Sequence, residues 1–272
     1  MKWSIFGIAF TFLTHGAPAQ PISTSQQPDT AQLQVRYIFT HIRDTNNRKH
    51  PYTEKMVLLI GKKAGVYKSG DRHVETHTST NPDGSIRTDT HGFGSATEYY
   101  QYPNEKKLIH KDRLPMTDFL MTDALPVITW QITTDTLTLG QLHCQKATTH
   151  FKGRDYIIWF CPDLPLHIGP WKLNGLPGVI VQAYDTKEEV QFIFDGFAKA
   201  DPVLILAPAD GVKTTEKEFN RLEETLRKDP EAYSKMMSAY EPATGPGGGP
   251  KMKFNVAPAP PFNNPIELPE KK

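Results

Sequence analysis

Through most of the chain, apolar and polar side chains alternate with a period of two, the pattern of strands that bury one face. Gln34–Ile42 (QVRYIFTHI) sets this pattern, and turn signals then recur every 8 to 12 residues. Glu54–Ile60 and Val66–Ser69 read as the next two strands, joined across Gly61–Gly65. Residues 70–94 are polar and turn-rich, with Asp83-Gly84 as a hairpin tip. Thr97–Tyr102, Lys107–Lys111, Thr117–Met121 and Val127–Ile132 continue the meander, and Gly178–Asp185 with Glu189–Phe197 forms a further hairpin. Helical periodicity stands out in one place. Phe219, Leu222 and Leu226 follow the capping sequence Thr214-Thr215-Glu216-Lys217-Glu218, and Asp229-Pro230 opens a second short helix through Tyr240. The expected fold is mainly β (α+β): a curved antiparallel sheet or partly open barrel with two short C-terminal helices.

The ends of the chain depart from this pattern. Lys2, the apolar run Trp3–Leu13 and the small residues Ala17-Pro18-Ala19 form a secretory signal, so residues 1–19 are expected to be cleaved and 20–32 to be a disordered leader. The run is too short to span a bilayer. Residues 33–240 read as a single β-rich domain. Residues 241–272 hold 8 Pro and 4 Gly in 32 positions and read as an extended tail, tied down by Phe254, Phe262 and Ile266. The expected location is the periplasm, the cell envelope or the extracellular space.

Export changes the reading of the two cysteines. LHCQKATTHF (142–151) and DYIIWFC (155–161) flank the turn Lys152-Gly153-Arg154. A hairpin centred there sets Cys144 opposite Cys161, and in an oxidising compartment such a pair is expected to form a disulfide. The second strand is apolar on both faces: Ile157 and Trp159 share one side with Cys161, while Tyr156, Ile158 and Phe160 share the other. Such a strand is either covered twice or lines an apolar groove.

Composition narrows the chemistry. With 31 Lys and Arg against 30 Asp and Glu, the chain lacks the basic surplus that phosphate recognition needs, so nucleic acid is not an expected partner. No nucleophile elbow, phosphate-cradling loop or H-E-x-x-H helix is present, and no cofactor is implied. His73, His77 and His91 share one polar segment and offer a metal site, the basis of an alternative reading as a metal-binding protein or metal-dependent hydrolase. On a strand, however, positions i and i+4 lie ~13 Å apart. Lys146, Arg154 and Lys172 could hold an anion or a partner.

Ile168–Ile180 (IGPWKLNGLPGVI) packs two Pro–Gly turn signals close together, aiming Trp171 and Leu173 to one side before a strand starts at Val179. Here the chain resembles the GLPGLI family of secreted bacterial envelope proteins. The name motif stands as Gly175-Leu176-Pro177-Gly178-Val179-Ile180, with Val179 replacing Leu. The likeness extends through Cys144–Thr149, Gly153-Arg154, Trp159-Phe160, Gly169–Leu173 and Asn264–Leu268; Cys161 is not a family-wide feature. The resemblance implies a secreted antiparallel β protein of the envelope, working beside TonB-dependent outer-membrane receptors, and carries over no catalytic residue. The reading that follows is a non-enzymatic protein that binds a lipophilic molecule, a peptide or a receptor partner around Trp159 and Trp171.

Overall fold

A computed structural model describes residues 28–80, 86–115, 117–237 and 262–270. The expected signal segment, Phe254 and the Asp83-Gly84 tip therefore lie outside the described residues. The strands are β1 Asp29–Thr30, β2 Leu33–His41, β3 Tyr52–Ile60, β4 Gly65–Ser69, β5 His73–Thr80, β6 Ile86–Phe93, β7 Glu98–Tyr102 and β8 Lys107–Leu114. They continue with β9 Thr117–Ala124, β10 Gln131–Leu139, β11 Leu142–Phe151, β12 Arg154–Cys161, β13 Val179–Asp185, β14 Val190–Lys199, β15 Leu204–Ile205 and β16 Val212–Thr214. Helices α1 Glu216–Lys228 and α2 Pro230–Met237 follow.

Among the described residues, twelve of these strands form one sheet, in the order β10-β11-β12-β13-β14-β2-β3-β4-β7-β8-β9-β16. The sheet remains open, so the expected β-rich architecture holds in its unclosed form. Two meanders build it, β2 to β9 and β10 to β14, and they join where β14 runs antiparallel to β2 from Val190↔His41 to Lys199↔Leu33. β16 adds parallel to β9 at one edge, while β5 and β6 pair only with each other.

Alternation along β3 shows how the sheet is packed. Met56, Leu58 and Ile60 enter the main core with Val35, Tyr37, Phe160 and Ile180. The intervening Val57 and Leu59 are buried on the opposite face beneath Ala31, Ile205 and Ala207. Each fully buried aliphatic side chain contributes about 1.5–3 kcal/mol. The segment read as a leader thus includes β1, which pairs with β15 and whose Asp29 accepts from the Lys63 and Ala64 amides at 2.6 and 3.0 Å.

Helix α1 starts as its capping sequence requires, with the Glu218 amide donating to Thr215 Oγ1 at 3.2 Å. Phe219 and Leu222 then bury against Phe119 and Met121, joined by Tyr233 and Met237 of α2. This places both helices over the β9 end of the sheet. No helix of the described residues is long and apolar enough to cross a membrane.

Two expectations need correction. The β11–β12 register is the one expected, running from Gln145↔Phe160 to Phe151↔Arg154 around a Lys152-Gly153 turn whose φ values are +52° and +71°. Cys144 and Cys161 are nevertheless free, buried thiols rather than a disulfide. Pairing between their strands stops one position short; Cys144 pairs with Leu137 of β10 and Cys161 with Val179 of β13. The Cys144 thiol donates to Leu142 O at 3.6 Å, and burial followed by the neighbouring Cys161 pushes its pKa up to about 12. Second, β10 begins only at Gln131. Val127, 98% exposed, lies in an irregular segment whose Trp130 indole donates to Asn174 O at 3.0 Å, while Thr129 O accepts from Thr149 at 2.7 Å. That segment clasps the turn-rich motif instead of extending the edge.

Candidate functional site

Strand register assembles a cavity on the α1 side of the sheet. Phe192 lies opposite Phe39, and Phe39 opposite Glu54, in one row crossing β14, β2 and β3. A second row runs Leu58, Tyr67, Tyr99, His110 and Met121 across β3, β4, β7, β8 and β9. These rows floor a cavity of about 780 Å³ roofed by Trp171, Phe219 of α1 and Phe262 and Ile266 of the tail. That volume suits a small organic molecule.

The roof begins at the motif. Gln101, fully buried on β7, donates through Nε2 to Gly169 O at 2.9 Å and Trp171 O at 2.8 Å. Trp171 is held at φ +54°, a left-handed conformation that bulky residues seldom adopt. Its ring packs against Phe151, Tyr156 and Phe192 at 5.6, 6.4 and 6.4 Å. Gly178 lies at φ +154°, where an added Cβ would sit 2.2 Å from Cys161 O; only glycine lets the motif cross β12.

The tail closes the opposite end. Buried Arg154 donates to Asp185 at 2.7 Å, Glu189 at 3.1 Å, Asn264 Oδ1 at 2.6 Å and the carbonyls of Pro265 and Ile266 at 2.8 Å each. His41 Nε2 donates to Asn264 O at 2.7 Å. Burial lowers the His41 pKa to about 4 despite that bond, with Arg43 and Arg154 adding to the shift. Lys172, also buried, bridges Glu216 of α1 and Glu267 of the tail. Burial alone would raise Glu267, but Lys172 and Lys152 outweigh it and hold the carboxyl below its ordinary range. Motif, helix and tail are thus tied together by one ammonium group.

Inside the cavity, the polar groups concentrate near β3 and β8. Glu54 accepts from Tyr52 Oη and, at 2.6 Å, from the Ser95 amide. Thr97 donates to Asp112 at 2.9 Å, and the Arg43 guanidinium lies 3.5 Å above the Tyr52 ring. Tyr52 is pushed up to about 12 by burial and by Glu54. His110 is 8% exposed and stacks on Tyr99 at 4.3 Å, yet neither ring nitrogen has a hydrogen-bond partner; Asp112 Oδ2 stands 3.6 Å away. Tyr67 Oη is buried and equally unpartnered.

The residues singled out from sequence fall in several places. Trp171 lines the cavity, whereas Trp159 is half-buried against the main core away from it. Arg154 and Lys172 are engaged by carboxylates of the chain itself, and Lys146 pairs with Asp135 at 2.9 Å. His73 stacks on Phe93 and donates through Nδ1 to Asp71 O at 2.9 Å. In the β5–β6 register, His73 pairs with Phe93, His77 with Asp89 and His91 with Glu75, so no two of the three histidines are directly opposite and His91 lies diagonal to the other two. The side chains of His77 and His91 lie outside those described. Among the described residues, no three His, Cys, Asp or Glu converge to hold a metal ion. The cavity residues Glu54, His110 and Asp112 carried no sequence signal beyond alternation, because they sit on β3 and β8, which meet only across β4 and β7.

These features define an open β-sheet protein with a half-open cavity bordered by a helix, a turn motif and a C-terminal strap. No family model matches the chain, and no curated protein matches it. Among solved structures, the fold is similar to PNGF-II in its C2 and P21 crystal forms, with TM-scores of 0.52 and 0.50 and 9% sequence identity in each. The match covers 72% of this chain but only 34% of PNGF-II. At that identity, the likeness is one of fold.

Proposed function

We propose that this chain is an exported, non-enzymatic envelope protein of the GLPGLI type that binds a lipophilic or peptide ligand or an outer-membrane receptor partner. The observation that carries this reading is the 780 Å³ cavity, whose walls include Phe39, Trp171, Phe192 and Phe219. A space of this size with aromatic walls and a few polar groups is suited to holding a ligand. The secretory segment and the motif at Gly175–Ile180 support the envelope assignment.

Uptake of N-phenylnaphthylamine, a neutral apolar fluorophore, tests the binding function. We expect blue-shifted emission with saturable, 1:1 binding, and at least tenfold weaker binding in Met56→Trp, which fills the cavity. Unsaturable uptake, or equal uptake by a folded Met56→Trp protein, would count against it. Pull-down from host membranes would test the receptor partner.

A further inference from the structure

We propose that the cavity selects an organic cation, an amine carried on an apolar body. The inference rests on the reading of the cavity as a binding site and specifies the charge of its occupant.

Two independent observations carry it. The first is a charge imbalance. Glu54, Asp112 and Glu223 line the cavity, and among the described residues none of them is ion-paired with Lys or Arg. Arg43, flat on the Tyr52 ring, and Arg227 also line it, against six carboxylate side chains: Glu54, Asp112, Glu216, Glu223, Glu224 and Glu267. Lys172, which would otherwise supply a positive charge, is held between Glu216 and Glu267. Glu223 retains much solvent exposure on α1, yet partial burial and then nearby Asp112 raise its pKa against the opposing pull of Arg227, Arg43 and His110. Like charges near each other raise one another's pKa, and a cation bound close to both relieves that.

The second observation is the pair of unsatisfied groups on the floor. His110 and Tyr67, each more than nine-tenths buried, line the cavity with neither ring nitrogen of one nor the hydroxyl of the other bonded. Buried polar atoms in native proteins are almost always satisfied, so such a cluster marks where a ligand supplies the missing partners. An ammonium group is donor-only. His110 can accept from it through a ring nitrogen, Tyr67 through its oxygen and Asp112 through its carboxylate. The aromatic walls accommodate the apolar body and add favourable cation–π contacts. An anionic head group in the same place would meet Glu54 and Asp112 in a lining where carboxylates outnumber the two arginines.

Isothermal titration of the full mature protein with 4-phenylbutylamine, 4-phenylbutanol and 4-phenylbutanoate, which share one body and differ in charge, tests the proposal. The amine is expected to bind at least tenfold tighter than the alcohol, with the carboxylate weakest. Asp112→Asn and Glu223→Gln should each reduce amine affinity severalfold while leaving the alcohol unchanged. Glu223→Gln lies on the helix surface and keeps the test valid should Asp112→Asn misfold. Equal affinity for all three, or preference for the carboxylate, would overturn the charge selection while leaving the binding function standing. Failure of all three to bind, together with failure of N-phenylnaphthylamine, would overturn both.

Discussion

His41 shows how one buried side chain carries information about the whole assembly. Its ring is neutral because burial disfavours the imidazolium, and its Nε2–H holds the carbonyl of Asn264. The ordinary pKa of 6.5 applies in the unfolded chain and about 4 in the folded one. Between those values the unfolded state binds a proton that the native state refuses. The contribution of His41 is therefore complete above pH 6.5 and declines as pH falls towards 4. Glu189 adds to the same trend lower down: burial would raise it, but hydrogen bonds from Arg48 and Arg154 hold it below the usual carboxylate range. Urea unfolding followed from pH 7.5 to 4.5 should show a falling midpoint, with a shallower decline in His41→Gln. An unchanged slope in that variant would assign the pH dependence elsewhere.

Among the elements, the β5–β6 hairpin is the most separable. β5 and β6 pair with each other from His73↔Phe93 to Thr80↔Ile86 and join no other sheet. Replacing residues 73–93 by a short Gly/Ser linker should leave the far-ultraviolet dichroism β-type. It should also cost less than about 1 kcal/mol of stability, since few tertiary contacts are lost. The same deletion removes His73, His77 and His91. Micromolar copper or zinc binding that survives it would separate any metal site from these histidines, and binding lost with it would support the alternative metal-binding reading. The helices behave differently: α1 lines the cavity through Phe219, so its packing bears on binding as well as stability.

At the level of the molecule, Arg154 joins distant segments of the chain. It brings β12, Asp185 at the end of β13, Glu189 and residues 264–266 to one point. Arg154→Met should destabilise the protein by about 3–5 kcal/mol, because removing one member of a buried charge network leaves the others uncompensated. Limited proteolysis should then cut within 262–270 before the sheet is attacked, and N-phenylnaphthylamine should exchange faster as the roof loosens. A variant with wild-type stability and a protected tail would show that the strap is held instead by Lys172 and Lys152 on Glu267 and by His150, which pairs with Glu270 at 2.9 Å.

Much of this architecture was legible along the chain. Strand alternation, the Lys152-Gly153 turn and the Thr215 cap each depend on residues close in sequence or on one periodic face. β10 was missed because as an exposed edge it has no buried side to impose a pattern, and Trp130 draws the segment before it onto the motif. The cysteine register was readable from the turn, but the bonding state was not: ladder pairing between β11 and β12 ends at Gln145↔Phe160, one position before the cysteines, and both thiols stay free. Arg154 and Lys172 stood out as cations, yet their carboxylate partners lie between 31 and 95 positions away. What sequence alone determined was therefore the local grammar of strands, turns and caps, which is governed by backbone preference and burial period. Only the tertiary structure decided which charges cancel and which polar groups remain unsatisfied inside the cavity, because those outcomes depend on strands that meet solely through the order of the sheet.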